Sequence, residues 1–442
     1  MIRQATGRVT TPTGLRYLGM AGSVIVSAFG PRPIGLIGVA VLTGAWLGLR
    51  RVTGTRWLLV TAGLWALPLL VAPPLFSGDA TAYACQGQLF DHGLSPYRHG
   101  VADLPCTWLA EVPRLWWYTR SPYGPFWVAL SGLAGVDRWW LAVAVLRVVA
   151  LAGIVLIIGY GHRLARALGT DPSRVAWLGV ASPLVLLHGV SGVHNDALMA
   201  GLVVAGLATA VDTRWGVRAG VLLGLAVAVK VTAVVAVPFA LLLVPRRAWA
   251  GLTAAALASF AGVTAATGLG LGWLPALSGT ATLIQWTSPP TGVGMAAGYL
   301  LRLAGRPELA PAALAVARGL GLAVLAVVLV GLCWRAGPKP AVVRAAGLAL
   351  GATAVLGPVF FSWYALAPLA VLSTTPLTER TERRLAWLVA GLALIVLPSG
   401  AGIASMTKPL GAFGELVLLI VLAVWGVRRL HAGRARPTPT AR

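Results

Sequence analysis

Gly124-Pro125-Phe126-Trp127-Val128-Ala129-Leu130-Ser131-Gly132-Leu133-Ala134-Gly135-Val136 is the stretch on which the reading of the chain turns. It is apolar enough to enter a bilayer but short of the ~20 residues a transmembrane helix needs. If it crosses, every later segment changes sides. Basic residues decide the matter, because Lys and Arg concentrate in the cytoplasmic loops of polytopic proteins. With 124–136 laid on the membrane surface, the cytoplasmic segments hold 24 of the 35 Lys and Arg, and the outer segments hold eight. Arg147, Lys230 and Arg318 fall inside or at the ends of spans. If 124–136 crossed, Arg163, Arg166 and Arg174 would lie outside, against that rule. We therefore read 124–136 as non-spanning and both termini as cytoplasmic.

The composition agrees with a membrane chain. Its 442 residues are 58% hydrophobic and 11% charged, with a mean hydropathy of +0.82, which excludes an ordinary soluble domain. Backbone polar groups in hydrocarbon must be paired internally, so the spans are helices. The net charge of +23 sits in short clusters between apolar runs, a topology signal and not a nucleic-acid surface. The predicted architecture is all-α and polytopic, with about 14 transmembrane helices near 15–30, 34–49, 57–75, 139–160, 174–190, 194–211, 216–229, 231–244, 249–271, 311–334, 341–357, 359–373, 385–400 and 410–427. Several are short, as local bilayer thinning allows. The first is read as retained, since no small-residue cleavage site follows it. One membrane domain, 1–428, carries outer loops 76–138 and 272–310, and 429–442 reads as a disordered cytoplasmic tail.

This topology gathers the unusual polar residues on one side. The segment 76–125 carries four of the twelve acids, Asp79, Asp91, Asp103 and Glu111. Asp79, Tyr83 and Gln86 are spaced to share one helix face. Asp79 is either a helix cap after Ser77-Gly78 or a catalytic base. His188 and the triplet His194-Asn195-Asp196, with the chain's only Asn, lie in a second outer turn. The triplet reads either as a cap or as a polar cluster for sugar hydroxyls or phosphate. Lys230, one of three lysines, sits between two apolar runs, where an ionisable residue suggests function and a snorkelling side chain is the plainer reading. A point charge there suits a lipid-linked phosphate. Arg147, within its helix, could serve likewise or pair with a buried acid. Trp286-Thr287-Ser288 adds to the same side in the second outer loop. A His/Asp metal site is possible but lacks a third ligand of diagnostic spacing, so a divalent metal is allowed and not required. Trp108, Trp116 and Trp117 read as an interfacial belt that can double as a sugar platform. Cys85 and Cys106 share a loop outside the reducing cytosol, where thiols tend to pair, while Cys333 is expected to stay free.

Taken together, Asp79-x-x-x-Tyr83-Ala84-x-Gln86-Gly87, Gly93-Leu94-x-Pro96-Tyr97, Tyr123-Gly124-Pro125, His194-Asn195-Asp196-Ala197-Leu198-Met199, Lys230 and Ser362-Trp363-Tyr364 resemble the polyprenol-phosphomannose-dependent α-1,6-mannosyltransferases. These are GT-C-type membrane glycosyltransferases of actinobacterial lipomannan and lipoarabinomannan synthesis, and the resemblance covers about residues 50 to 375. It implies a GT-C fold, a polyprenyl-phosphate mannose donor, a mannan or lipoglycan acceptor, and an Asp base at the position of Asp79. It adds Tyr97, Tyr123, Trp363 and Tyr364 to the substrate-binding candidates. The family usually has Tyr and Ser at Thr81 and Ala82, Arg at Gln88 and Asp at Ser95, so sugar and acceptor are the properties in which this chain can differ.

The expected protein is thus a multi-pass plasma-membrane enzyme with an extracytoplasmic active site. Asp79 would deprotonate an acceptor hydroxyl as it attacks the sugar C1, giving inversion to an α-linkage. Lys230, with Arg147 and His194, would hold the leaving phosphate. A lipid transporter or flippase is the rival, but it would show inverted repeats and polar groups reaching both faces, which this sequence does not. An inactive scaffold of the same fold differs only in an activity assay.

Overall fold

A computed structural model describes residues 11–104, 106–212 and 216–434. Among them there is no strand, and the only β-type pairing is an isolated bridge between Val396 and Gly402. Each of the fourteen apolar runs contains helix, including Pro12–Phe29, Pro33–Gly48, Thr55–Val71, Trp139–Ala167, Asp196–Asp212, Val217–Val229, Trp249–Thr267, Ala310–Trp334, Lys339–Leu356 and Glu379–Ile395. The last helix, Lys408–Arg434, runs past the predicted boundary at 428, and the rest of the tail lies outside the described residues.

The count of fourteen spans is not met by helix length. Among the described residues six helices are long and apolar enough to cross a membrane, or seven if the bent pair Pro172–Val180 and Val185–Ser191 is one span. Four more apolar helices are shorter. Val217–Val229, for example, reaches only ~20 Å against a ~30 Å hydrocarbon core. The bent pair turns by 65° at Ser182-Pro183, where proline cannot continue the backbone ladder, and Val175–Val180 and Val185–Ser191 on either side are π-helical. Pro125–Gly132 is far too short to cross, and its Trp127 and Val128 are buried within the protein.

The chain divides into two compact units. The first comprises Met1–Thr282, Val327–Ala354 and Phe361–Ile403. Its helices meet through small residues, as membrane helices do when van der Waals contact replaces a hydrophobic drive. A Cβ on Gly153 would strike the backbone of Ala197, and one on Gly201 would strike that of Gly153, so Trp139–Ala167 and Asp196–Asp212 lie backbone to backbone. Stacked Trp46 and Trp177 join two more helices, each indole N–H donating to the other residue's carbonyl at 2.9 Å.

In the second unit, Leu283–Ala326, Val355–Phe360 and Ala404–Arg442, Met295 and Ala296 of the helix Pro289–Leu303 pack on Ala412. That helix lies within the predicted loop 272–310. Its Pro289-Pro290 start is a helix-initiating signal, since proline's missing N–H would be unsatisfied there anyway.

Candidate active site

Asp79 opens a short helix, Asp79–Asp91, whose residues up to Leu89 are buried. Its carboxylate makes no cap bond: Gly78 is the N-cap residue and Ser77 Oγ accepts the Asp79 N–H at 2.9 Å. The helix is seated by Gly87, where a Cβ would strike the Ser131 carbonyl of Pro125–Gly132. Cys85, on the same helix, is bonded to Cys106 as a disulfide with Cα atoms 5.4 Å apart. It ties the helix to the loop that carries Trp108 and Trp116. In the chain-entropy account a loop of this length contributes roughly 3 kcal/mol.

The freed carboxylate faces inward. Tyr83 Oη lies 3.5 Å from Asp79 Oδ2 and 3.5 Å from Tyr123 Oη, and the Trp116 indole stands beside Asp79. His194 Nε2 lies 3.7 Å from Asp79 Oδ2. Burial pushes the Asp79 carboxyl up to about 6, with Lys230 pulling it down and Asp196 pushing it up. A carboxyl so placed is ionised at neutral pH yet basic enough to take a proton. Burial also raises the Tyr83 and Tyr123 phenols, so both stay protonated donors.

Tyr123 is placed by its neighbour. Gly124 donates its N–H to the Val229 carbonyl at 3.1 Å, and a Cβ there would strike Ala228. This docks Tyr123 on the end of Val217–Val229, next to Lys230. The Tyr97 hydroxyl donates to the Tyr123 carbonyl at 2.8 Å, so Tyr97 positions the loop. Gln86 likewise accepts from Ser121 Oγ at 3.1 Å and braces the loop.

Asp196 begins its helix but turns its carboxylate to Lys230, whose Nζ is 2.8 Å from both oxygens. The same ammonium stands 3.9 Å from the centre of the Tyr364 ring, a cation–π contact. Lys230 is therefore a paired cation and not a bare one. Trp363 stacks on His194 at 3.9 Å and on Phe361 at 4.5 Å. Asp79, Tyr83, Tyr123, His194, Asn195, Asp196, Lys230, Trp363 and Tyr364 thus belong to one buried region of the first unit.

Arg147 is engaged elsewhere. Its guanidinium donates to the carbonyls of Leu69 and Ala72, closing the free C-terminal end of Thr55–Val71. Trp286 belongs to the second unit, where its indole donates to Thr407 Oγ1 at 3.2 Å. The outer tryptophans divide: Trp116 turns to Asp79, while Trp108 and Trp139 (5.4 Å between rings) line a groove of about 730 Å³ with Ser77, Thr81 and Glu111.

The sequence placed His188 and Asn195 in the second outer turn but could not show that their polar atoms lack partners. His188 is fully buried, edge-on to Phe76 and to His194, and neither ring nitrogen has a partner among the described residues. Both amide atoms of buried Asn195 are in the same condition. The only non-glycine residues with positive φ among those described are Phe76 (71°) and Val193 (48°), three residues before Asp79 and one before His194. A β-branched residue there stores strain of order 1–3 kcal/mol, a sign of a functional turn.

Comparison with known proteins identifies the family. Residues 16–246 match the family described as "Alpha-(1->6)-mannopyranosyltransferase, N-terminal domain", and residues 290–425 match "MptB C-terminal domain". The chain is 35% identical over 391 residues to Alpha-(1->6)-mannopyranosyltransferase A of Mycobacterium tuberculosis, covering 82% of this chain and 75% of that one. It is 28% identical over 448 residues to Alpha-(1->6)-mannopyranosyltransferase B of Corynebacterium glutamicum, covering 89% and 74%. Among solved structures it is similar to the oligosaccharyltransferase AglB of Archaeoglobus fulgidus in complex with an inhibitory peptide and a dolichol-phosphate. That match has a TM-score of 0.41 and 14% identity, covering 82% of this chain and 56% of the archaeal one. On the family match and the length of these alignments, the chain belongs to the alpha-(1->6)-mannopyranosyltransferase family and is a membrane mannosyltransferase.

Proposed function

We propose that the enzyme transfers mannose from polyprenyl-phosphate mannose to a hydroxyl of a mannan or lipoglycan acceptor, with inversion to an α-1,6 linkage, on the extracytoplasmic face of the plasma membrane. Asp79 is the general base. It accepts the acceptor's O–H proton as that oxygen bonds to C1, and the C1–O bond to phosphate breaks with its electron pair leaving on polyprenyl phosphate. A sugar hydroxyl is a poor nucleophile, and a positioned base contributes about 10²–10⁴-fold. The Tyr83 and Tyr123 hydroxyls orient the carboxylate and the incoming oxygen. Lys230, fixed by Asp196 and Tyr364, supplies the positive field toward the leaving phosphate.

The observation that carries this reading is the Asp79 carboxylate itself, buried, uncapped and free to accept a proton. Purified protein incubated with labelled polyprenyl-phosphate mannose and a mannoside acceptor is expected to form an α-1,6-linked product. Asp79→Asn is expected to lose transfer by at least ~10²-fold with donor binding kept. Normal transfer by Asp79→Asn, or release of no label from the donor by wild type, would defeat the proposal. Asp196→Asn is the companion variant: a chain silent only in Asp196→Asn would have its base there.

A further inference from the structure

We infer that His194 is a positioning residue for Asp79, its bare Nε2 receiving the hydrogen bond of the proton that Asp79 takes from the acceptor. The inference rests on the reading of Asp79 as base.

The tautomer follows from one contact. His194 Nδ1 lies 3.0 Å from the His188 carbonyl oxygen, which can only accept, so Nδ1 carries the hydrogen. Fully buried and close to the Lys230 ammonium, the imidazole is disfavoured as a second cation and is neutral. A neutral ring protonated at Nδ1 has a bare lone pair at Nε2. That lone pair is buried, has no hydrogen-bond partner among the described residues, and faces Asp79 Oδ2 at 3.7 Å.

Two lone pairs face each other while Asp79 is ionised, an unfavourable contact. One added proton turns it into an O–H···N hydrogen bond, for which closure to about 2.8 Å suffices. The pair is thus arranged for the state that follows proton abstraction. After C1 has bonded to the acceptor oxygen and phosphate has left, the proton rests between Asp79 Oδ2 and His194 Nε2. Because His194 stabilises only the protonated acid, it raises the basicity of Asp79.

The ring is held for this task. Trp363 stacks on one face within 19° of parallel, and Gly192 leaves room where a Cβ would lie 2.7 Å from His194 Cε1. Val193, the residue before it, takes a positive φ of 48°. The other titratable groups that act on Asp79 are Tyr83 on its own helix, Tyr123, Asp196 and Lys230, with His188 and Tyr364 beside them. None of these is an unprotonated acceptor aimed at its oxygens.

The test compares His194→Asn, which keeps a donor near Nδ1 and loses the Nε2 acceptor, with His194→Gln, whose amide oxygen reaches the Nε2 place. In His194→Asn we expect kcat to fall ~10-fold or more with donor Kd unchanged. The acid limb of the pH–rate profile should move down by about one unit. His194→Gln should recover most of both, and His194→Asn should cost nothing further in an Asp79→Asn background. An unmoved acid limb, equal behaviour of Asn and Gln, or a full further loss in the double variant would overturn the inference. A weakened donor Kd with the limb in place would assign His194 to the phosphate instead. Infrared spectra of wild type give a second test that needs no fold-sensitive variant. Acidification should raise a carboxylic C=O band, absent in Asp79→Asn, at the lowered frequency of an acid bonded to nitrogen, and a free-acid frequency would overturn the inference. Normal transfer by Asp79→Asn defeats the base reading itself. A silent Asp79→Asn with an unmoved limb in His194→Asn defeats only the role of His194.

Discussion

Among Arg50, Arg51, Arg174, Glu379 and Glu382, each carboxylate meets two guanidinium groups at 2.9–3.6 Å, and Glu379 and Arg51 stand largely in the open. Around Asp79 the opposite holds: the groups are buried, and His188, His194 and Asn195 keep polar atoms without partners among the described residues. Both clusters belong to the first unit. In the first, matched forks and water access make each pair inexpensive to form and of modest value to the fold. In the second, burying unmatched polar atoms opposes folding, so the fold must be holding them for another reason. Variants of the two clusters should therefore move activity and stability in opposite directions.

Asp79→Asn is where the contrast should be greatest. Transfer should fall by at least ~10²-fold, while the folded state gains. The folded-state carboxyl is raised from 3.8 to about 6, so Asp79 favours folding only where it is protonated, below its ordinary pKa. That contribution is lost as pH rises through about 6, and above it the ionised group opposes folding. A shift of about two units corresponds to roughly 3 kcal/mol, so at pH 7.5 the amide should be more resistant to heat by up to that amount, with the difference vanishing below pH ~4. Thermal unfolding in detergent beside the transfer assay checks both halves. A silent variant that also melts earlier would break the contrast.

Lys230→Ala is next. It leaves the Asp196 carboxylate buried without its bidentate partner, which typically costs about 3–5 kcal/mol. Transfer should fall with it, because the positive field is gone. The double variant Lys230→Met with Asp196→Leu separates the two effects. It removes the pair together, so folding should return while transfer does not. Recovery of transfer in the double variant would show that the pair is only structural.

How far the sequence led can be judged from the same residues. Apolar runs located the helices because hydrocarbon demands internal hydrogen bonding, and basic residues ordered them well enough to bring Asp79, His194 and Lys230 to one place. The Asp196–Lys230 pair was not legible, since nothing in the local pattern links residues 34 apart. Arg147 was misjudged because its guanidinium serves the carbonyls at the end of Thr55–Val71, partners that any sequence offers and none advertises. Pro289–Leu303 was hidden by its Gly and Pro content, which reads as loop until proline's place at a helix start is considered. The break at Ser182-Pro183 lay inside one apolar run, and hydropathy does not register a bend.

The pH profile sharpens the contrast at smaller scale. Asp79 must be ionised to accept a proton, and burial has raised it to about 6. Transfer at saturating donor should be level above that pH and fall about tenfold per unit below it. A limb near pH 4, the ordinary carboxylate range, would show a solvated base and so remove the distinction between the two clusters.

The smallest effect should come from the paired cluster. Glu382 meets Arg174 at 2.9 Å and Arg50 at 3.6 Å, but Arg174 also donates to the Thr375 carbonyl at 2.8 Å and Arg50 also reaches Glu379 at 3.2 Å. Glu382→Gln keeps the shape of the side chain and removes its charge, while each arginine retains another acceptor. A partly exposed pair of this kind is worth about 1 kcal/mol or less, and salt screens it. Glu382→Gln should therefore unfold slightly earlier at low ionic strength, match wild type in high salt, and transfer mannose at the wild-type rate throughout. The measurement is the unfolding midpoint at two salt concentrations, with transfer assayed in each. A loss of transfer at unchanged stability would mean that the paired cluster takes part in the reaction, and the division between the two clusters would have to be abandoned.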